Sequence, residues 1–184
     1  MKIAINGTSR GLGKYLTDVL SSYGEIVVVR SRLPDYESII NEVRDCDVFI
    51  NNVHERFFQV ELLHALYRAW RLLDRHVVCI GSRAVNQNAS VNSEYASAKV
   101  ALQSAVDNYI IKDREKKCKL TVLNPGLIQK IEGYSLGYED VAFVVKYVLS
   151  CPGHLEISRL DFHHRVAYSH VQSLKSQLYG SKFK

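Results

Sequence analysis

Apolar and polar positions along this chain follow two periods. Short apolar runs bounded by turn residues recur at 2–6, 25–30, 47–51, 76–81, 119–124 and 155–161, and each predicts a strand. Between them, residues 11–23, 36–44, 57–73, 92–113 and 138–149 carry apolar side chains at helical spacing. Strand and helix alternate throughout. Parallel strands need a crossover between them, and a helix supplies it, so the pattern predicts a mainly parallel sheet covered on both faces. The expected fold is α/β, a doubly wound sheet of about six strands in a three-layer α/β/α arrangement.

Composition narrows this to one unit. At 184 residues and 47% hydrophobic content, the chain fits a single domain spanning 1–184. A domain of that size should bury roughly 70% of its unfolded surface. No linker, repeat or low-complexity block divides it, and Pro34, Pro125 and Pro152 fall only in loops. No apolar stretch is long enough to span a bilayer and no leader pattern precedes the first strand, so a soluble cytoplasmic protein is expected. Cys46, Cys79, Cys118 and Cys151 are scattered singly and read as reduced thiols, mostly buried. His163 and His164 are adjacent, and neighbours on a strand face opposite ways, so no metal site is expected. The net charge of +5 owes much to a short basic C-terminal tail holding Arg165, Lys175, Lys182 and Lys184. A solvated tail accounts for it, and no nucleic-acid or membrane partner is expected.

Two segments carry candidate chemistry. The first strand runs into Asn6-Gly7-Thr8-Ser9-Arg10-Gly11-Leu12-Gly13 and then a helix. Glycines 7, 11 and 13 permit a tight bend, and a helix N-terminus offers unpaired N–H groups, the layout that cradles a dinucleotide pyrophosphate. By itself the turn could also be an ordinary strand-to-helix loop. Further on, Tyr95 and Lys99 stand one helical turn apart, with Ser82 at a strand end thirteen residues upstream. A phenol with a pKa of about 10 becomes useful near neutrality only beside a positive charge, and Lys99 on the same helix face can supply it.

In order and spacing these elements resemble the short-chain dehydrogenase/reductase family over nearly the whole chain. Asn6 to Gly13 resembles its Thr-Gly-x-x-x-Gly-x-Gly with Asn6 for Thr, and Asn51-Asn52-Val53-His54 its Asn-Asn-Ala-Gly with the second half changed. Ser82, the Tyr95 to Lys99 pair and Asn124-Pro125-Gly126 stand in the family's register. The resemblance implies a Rossmann-like fold and hydride exchange between a nicotinamide and a small carbonyl or alcohol substrate. It implies Tyr95 as general acid/base, Ser82 as donor to the substrate oxygen, and Lys99 also holding the nicotinamide ribose. The family's relay asparagine is missing from the preceding long helix; alignment puts Gln59 there as its substitute. Gly7, Ser9, Arg10, Gly11, Leu12, Gly13, Asn51, Asn52, Pro125 and Gly126 are the implied cofactor contacts. Family members pair through the long helices, so a homodimer or homotetramer is expected, and Val100, Leu102, Val106, Tyr109 and Ile110 agree with burial there.

Charge argues cofactor choice. NAD binding usually involves a carboxylate at the end of the second strand. This chain has Arg30-Ser31-Arg32 there and Arg10 in the turn, so NADP(H) is expected over NAD(H), with Arg30 or Arg32 clamping the 2′-phosphate. Between Ser31 and Cys46 there is room for a helix but hardly for the family's third strand. Only thirteen residues, 127 to 139, stand where the family builds its substrate lid, and Lys130 replaces its carboxamide-contacting Thr. The substrate site should be open. Catalysis is the first reading; a nucleotide-binding regulator that keeps the fold without turnover is the alternative.

Overall fold

A computed structural model describes residues 1–86, 93–128 and 135–165. Six strands, β1 (Lys2–Ile5), β2 (Glu25–Val28), β3 (Val48–Asn51), β4 (His76–Ile80), β5 (Lys119–Pro125) and β6 (Arg159–Phe162), form one sheet in the order β2-β1-β3-β4-β5-β6. Every pairing is parallel. The helices are α1 (Gly11–Leu20), α2 (Tyr36–Glu42), α3 (Phe58–Trp70), α4 (Ser93–Lys112) and α5 (Tyr138–Leu149). The expected doubly wound Rossmann-like sheet is thus present. Only α2 lies between β2 and β3, so the third strand of the resembling family is missing, as expected, and β2 is an edge.

Two apolar cores sandwich the sheet, because each central strand sends alternate side chains to opposite faces. Ala4, Phe49, Val77, Cys79, Leu120 and Val122 face α2, α3 and α4; there Trp70 is 1% exposed with its ring edge-on to Phe49 at 6.5 Å. Ile3, Ile5, Val48, Ile50, Val78 and Ile80 face α1 and α5, meeting Leu16, Leu20, Val145 and Val148.

The predicted elements shift mainly at their ends. Helix α3 stops at Trp70, ahead of exposed Leu72 and Leu73. The expected strand 155–161 becomes Arg159–Phe162: Leu155 is exposed and closes a turn onto Pro152, and paired register starts only at Val122 opposite Arg159. Asn92, expected to begin the long helix, Lys130, and the tail with Lys175, Lys182 and Lys184 lie outside the described residues. Cys46, Cys79 and Cys118 are buried free thiols and Cys151 is half-buried; burial pushes Cys79 and Cys118 up to about 12, where neither is a nucleophile. Among the described residues, no helix is long and apolar enough to cross a membrane.

Candidate active site

The chain leaves β1 toward β2 on one side and continues at β3 on the other, so the carboxyl ends of β1 and β3 flank a topological switch point, where open α/β sheets bind ligands. The Gly-rich turn opens here. Gly7 and Gly11 adopt φ of 67° and 62°, the left-handed region that glycine enters at no steric cost. A Cβ on Gly13 would stand 2.1 Å from the Gly7 carbonyl oxygen, so α1 packs directly on the turn, whereas one on Gly11 would meet only the Tyr138 hydroxyl, at 3.4 Å. Arg10, the N-cap of α1, makes no side-chain capping bond. The first N–H groups of α1 therefore remain for an anion, and this cradle fits a pyrophosphate. Ser9, Arg10 and Gly11 are exposed at its mouth and Leu12 packs inward on the α1/α5 core. Tyr138, at the start of α5, is a candidate cofactor contact that the sequence reading missed.

Asn6 locks the switch point. Its Oδ1 accepts from the backbone N–H of Asn52 at 2.7 Å and of Val53 at 3.0 Å, while Asn52 Nδ2 donates to the Gly7 carbonyl at 3.3 Å. Asn51 needs correcting as a cofactor contact. It is fully buried, its amide donates to the Gln59 carbonyl at 2.9 Å, and it holds the loop from behind.

At the end of β2 a second correction applies, because a carboxylate does stand there. Glu42, the last residue of α2, accepts from the backbone N–H groups of Arg30 at 2.8 Å and Ser31 at 3.0 Å. Burial works against its charge, but the two N–H groups and the Arg30 guanidinium outweigh that and hold Glu42 below the usual carboxylate range. The side chains of Arg30 and Arg32 remain exposed.

Tyr95 and Lys99, expected to handle the proton, lie on α4 beside the end of β4. Lys99, in the second turn of α4, is 3% exposed; its Nζ donates to Gln59 Oε1 at 2.7 Å and to the Ile80 carbonyl at 2.8 Å. Gln59 is itself 2% exposed, and its Nε2 donates to the carbonyls of Asn51 at 2.7 Å and Ile80 at 3.0 Å. Gln59 thus bonds Lys99 directly. No described carboxylate pairs with Lys99, and burial pushes its ammonium down to about 8. Nζ also lies 5.6 Å from the centre of the Tyr95 ring, within cation–π range. The His54 ring also stands beside Tyr95, 4.5 Å away at 80°. Sequence reasoning passed over His54 even though it replaces a glycine of the resembling motif. Burial first, and the Lys99 charge second, lower its pKa.

Ser82 sits two residues beyond Ile80. Its N–H donates to Asn124 Oδ1 at 3.1 Å and its Oγ accepts from the Ala84 N–H at 3.1 Å, which leaves the hydroxyl hydrogen free to donate to a ligand. Asn124, 1% exposed, also donates to Gln103 Oε1 on α4 and Asp161 Oδ1 on β6, both at 3.1 Å. One amide therefore ties the ends of β4, β5 and β6 to the helix carrying Tyr95 and Lys99. Pro125 is buried at the end of β5, and Gly126 hydrogen-bonds Phe162 where a Cβ would stand 2.9 Å from His163 Cβ.

The fold is that of the short-chain dehydrogenases/reductases, the family its motifs resemble. No family model and no curated protein matches the chain. Among solved structures it is similar to a short-chain dehydrogenase/reductase from Vibrio parahaemolyticus, at 16% identity and a TM-score of 0.73 over 89% of this chain and 100% of that one. It is similar also to an alcohol dehydrogenase from the archaeon Thermococcus sibiricus complexed with 5-hydroxy-NADP, at 17% identity and a TM-score of 0.71 over 91% and 100%. A 3-alpha-hydroxysteroid dehydrogenase from Pseudomonas sp. B-0831, complexed with NADH, aligns at 16% identity and a TM-score of 0.69 over 100% of both chains.

Proposed function

We propose that this protein is a short-chain dehydrogenase/reductase, an NADP(H)-dependent oxidoreductase acting between carbonyl and alcohol. The observation that carries this reading is Lys99: a sealed ammonium with no described carboxylate partner, held 5.6 Å from the Tyr95 ring. Unpaired buried charge works against folding and is kept where chemistry uses it. In this reading the cofactor supplies or removes the hydride. Tyr95 gives a proton to the substrate oxygen in reduction and takes it in oxidation, Lys99 stabilises the phenolate through its charge, and Ser82 donates to the same oxygen. Gln59 positions Lys99 rather than touching the substrate. Gly7, Ser9, Arg10, Gly11, Leu12 and Gly13 would hold the pyrophosphate, with Asn52 and Gly126 near the nicotinamide half.

The arginines carry the cofactor preference. Glu42 takes the backbone N–H groups of Arg30 and Ser31, so a 2′-phosphate would be met by the guanidinium groups of Arg10, Arg30 and Arg32. NAD(H) is the weaker ligand in this reading. A second copy of the chain is proposed to pack on α3 and α4, where a groove of about 430 Å³ is lined by His64, Tyr67, Tyr109 and Lys112.

Purified protein is mixed with NADPH and a panel of reactive carbonyls, with the nicotinamide absorbance followed. Tyr95→Phe should cut turnover by about 100-fold or more while leaving NADPH binding intact. Tight NADPH binding by the wild type with no turnover of any carbonyl would favour the regulator instead. The observation favouring that second reading is the missing strand beyond β2, which leaves fewer walls around the ligand site.

A further inference from the structure

Arg83 follows Ser82 directly and opens the 3-10 turn Arg83–Asn86, which packs against α4. Its Nε is buried and has no hydrogen-bond partner among the described residues. Among the described residues no carboxylate lies within ion-pair distance of its guanidinium. A guanidinium cannot shed its charge, so the loss of water at Nε is uncompensated in the protein alone. An anion arriving with a ligand would supply the missing partner.

Position says which ligand. The pyrophosphate cradle follows β1, and β3 stands between β1 and β4, so the cradle lies two strands, roughly 10 Å, from the end of β4. The group nearest Arg83 in sequence is the Ser82 hydroxyl, whose hydrogen is left to donate. We propose that Arg83 is a substrate-recognition residue, and that the substrate is an oxo acid (or hydroxy acid) whose carboxylate docks on the Arg83 guanidinium while its carbonyl oxygen meets Ser82 and Tyr95. The planar fork of Arg matches a carboxylate bidentately, which fixes the substrate's orientation as well as its charge. This inference rests on the oxidoreductase reading and adds the chemical class of its substrate.

The test compares short 2-oxo- and 3-oxo-carboxylates with their methyl esters, using NADPH and NADH. Wild type should prefer the acids, and Arg83→Met should lower kcat/KM by about 100-fold on acids and about twofold or less on esters. Arg83→Lys, which keeps charge but not the fork, should recover only part of the loss. Equal losses on acid and ester, or a wild type indifferent to the carboxylate, overturn the inference. A calorimetric titration of the NADP+ complex with the matching alkyl carboxylates needs no turnover. Carboxylate binding that disappears in Arg83→Met supports the inference even where no carbonyl is reduced, in which case the oxidoreductase reading alone fails. Carboxylate binding that is equal in the two proteins, or absent from both, overturns it. Arg83→Met also removes an unpaired buried donor, so its thermal stability should match or exceed that of wild type, and a fold defect would count against the inference.

Discussion

Replacing Gln59 by Leu removes three hydrogen bonds from a volume sealed from water. The two donated by Nε2, to the Asn51 and Ile80 carbonyls, are neutral and contribute about 1 kcal/mol each; the one accepted from Lys99 is charge-assisted, at about 2 kcal/mol. Ile80 keeps Lys99 as a donor, but the Asn51 carbonyl and one Lys99 N–H are left without partners. The expected loss is about 3 to 4 kcal/mol, measured by urea unfolding of the two proteins. A double-mutant cycle isolates the critical bond: in a Lys99→Met background the same change should cost about 2 kcal/mol less, because no ammonium remains to be stranded. Gln59→Glu separates charge from packing, since it keeps the acceptor and should raise the Lys99 pKa from its position near 8. A Gln59→Leu cost below about 1 kcal/mol, or one unchanged by Lys99→Met, would refute the direct Gln59–Lys99 contact as an energetic fact.

Lys99 should give stability and activity opposite pH trends. Its folded pKa of about 8 lies below the ordinary 10.5, so between those values the unfolded chain binds more protons; stability should rise with pH there by up to about 3 kcal/mol while carbonyl reduction falls, and Lys99→Met should flatten the stability trend. His76, whose Nε2 meets Thr121 Oγ1 at 2.8 Å, is pushed by burial from 6.5 to about 4. Unfolded chains take up that proton first, so stability should fall by about 2 kcal/mol as pH drops from 6.5 to 4, discounted because the residue is only partly buried, and His76→Asn should remove that slope in urea melts. Gly13→Ala drives a methyl to 2.1 Å from the Gly7 carbonyl and should abolish both dinucleotide binding and the wild-type thermal midpoint. Gly11→Ala meets only the Tyr138 hydroxyl at ordinary contact distance, so its backbone strain should cost about 1 to 2 kcal/mol while dinucleotide affinity falls further, as calorimetry would show.

Where physical periodicity speaks, the chain was legible. Strands β1, β3, β4 and β5 are apolar runs because both faces are covered, and α1 and α3 show one apolar stripe each. Gln59 was open to reading in the same way: it shares a helical face with Leu62, Leu63, Leu66 and Trp70, all buried, and a polar residue on such a stripe must bond inward. Glu42 was not, because its carboxylate reaches Arg30 and Ser31 only after α2 folds back across the end of β2, a tertiary contact with no local periodicity. His54 lies in a loop, where neither period operates, and only its departure from the resembling motif marked it. The exposed end of the predicted last strand failed for a related reason, since Leu155 continues an apolar run that has no sheet to join.

Ending the sheet at β2 has a cost in vulnerability. Its outer row of amides and carbonyls is an invitation to another molecule's strand, and the protein answers with brevity: four residues, a carboxylate at the first of them, and a basic segment immediately beyond. Lengthening that strand by neutral, β-branched residues would therefore be expected to turn a guarded edge into a seed for aggregation.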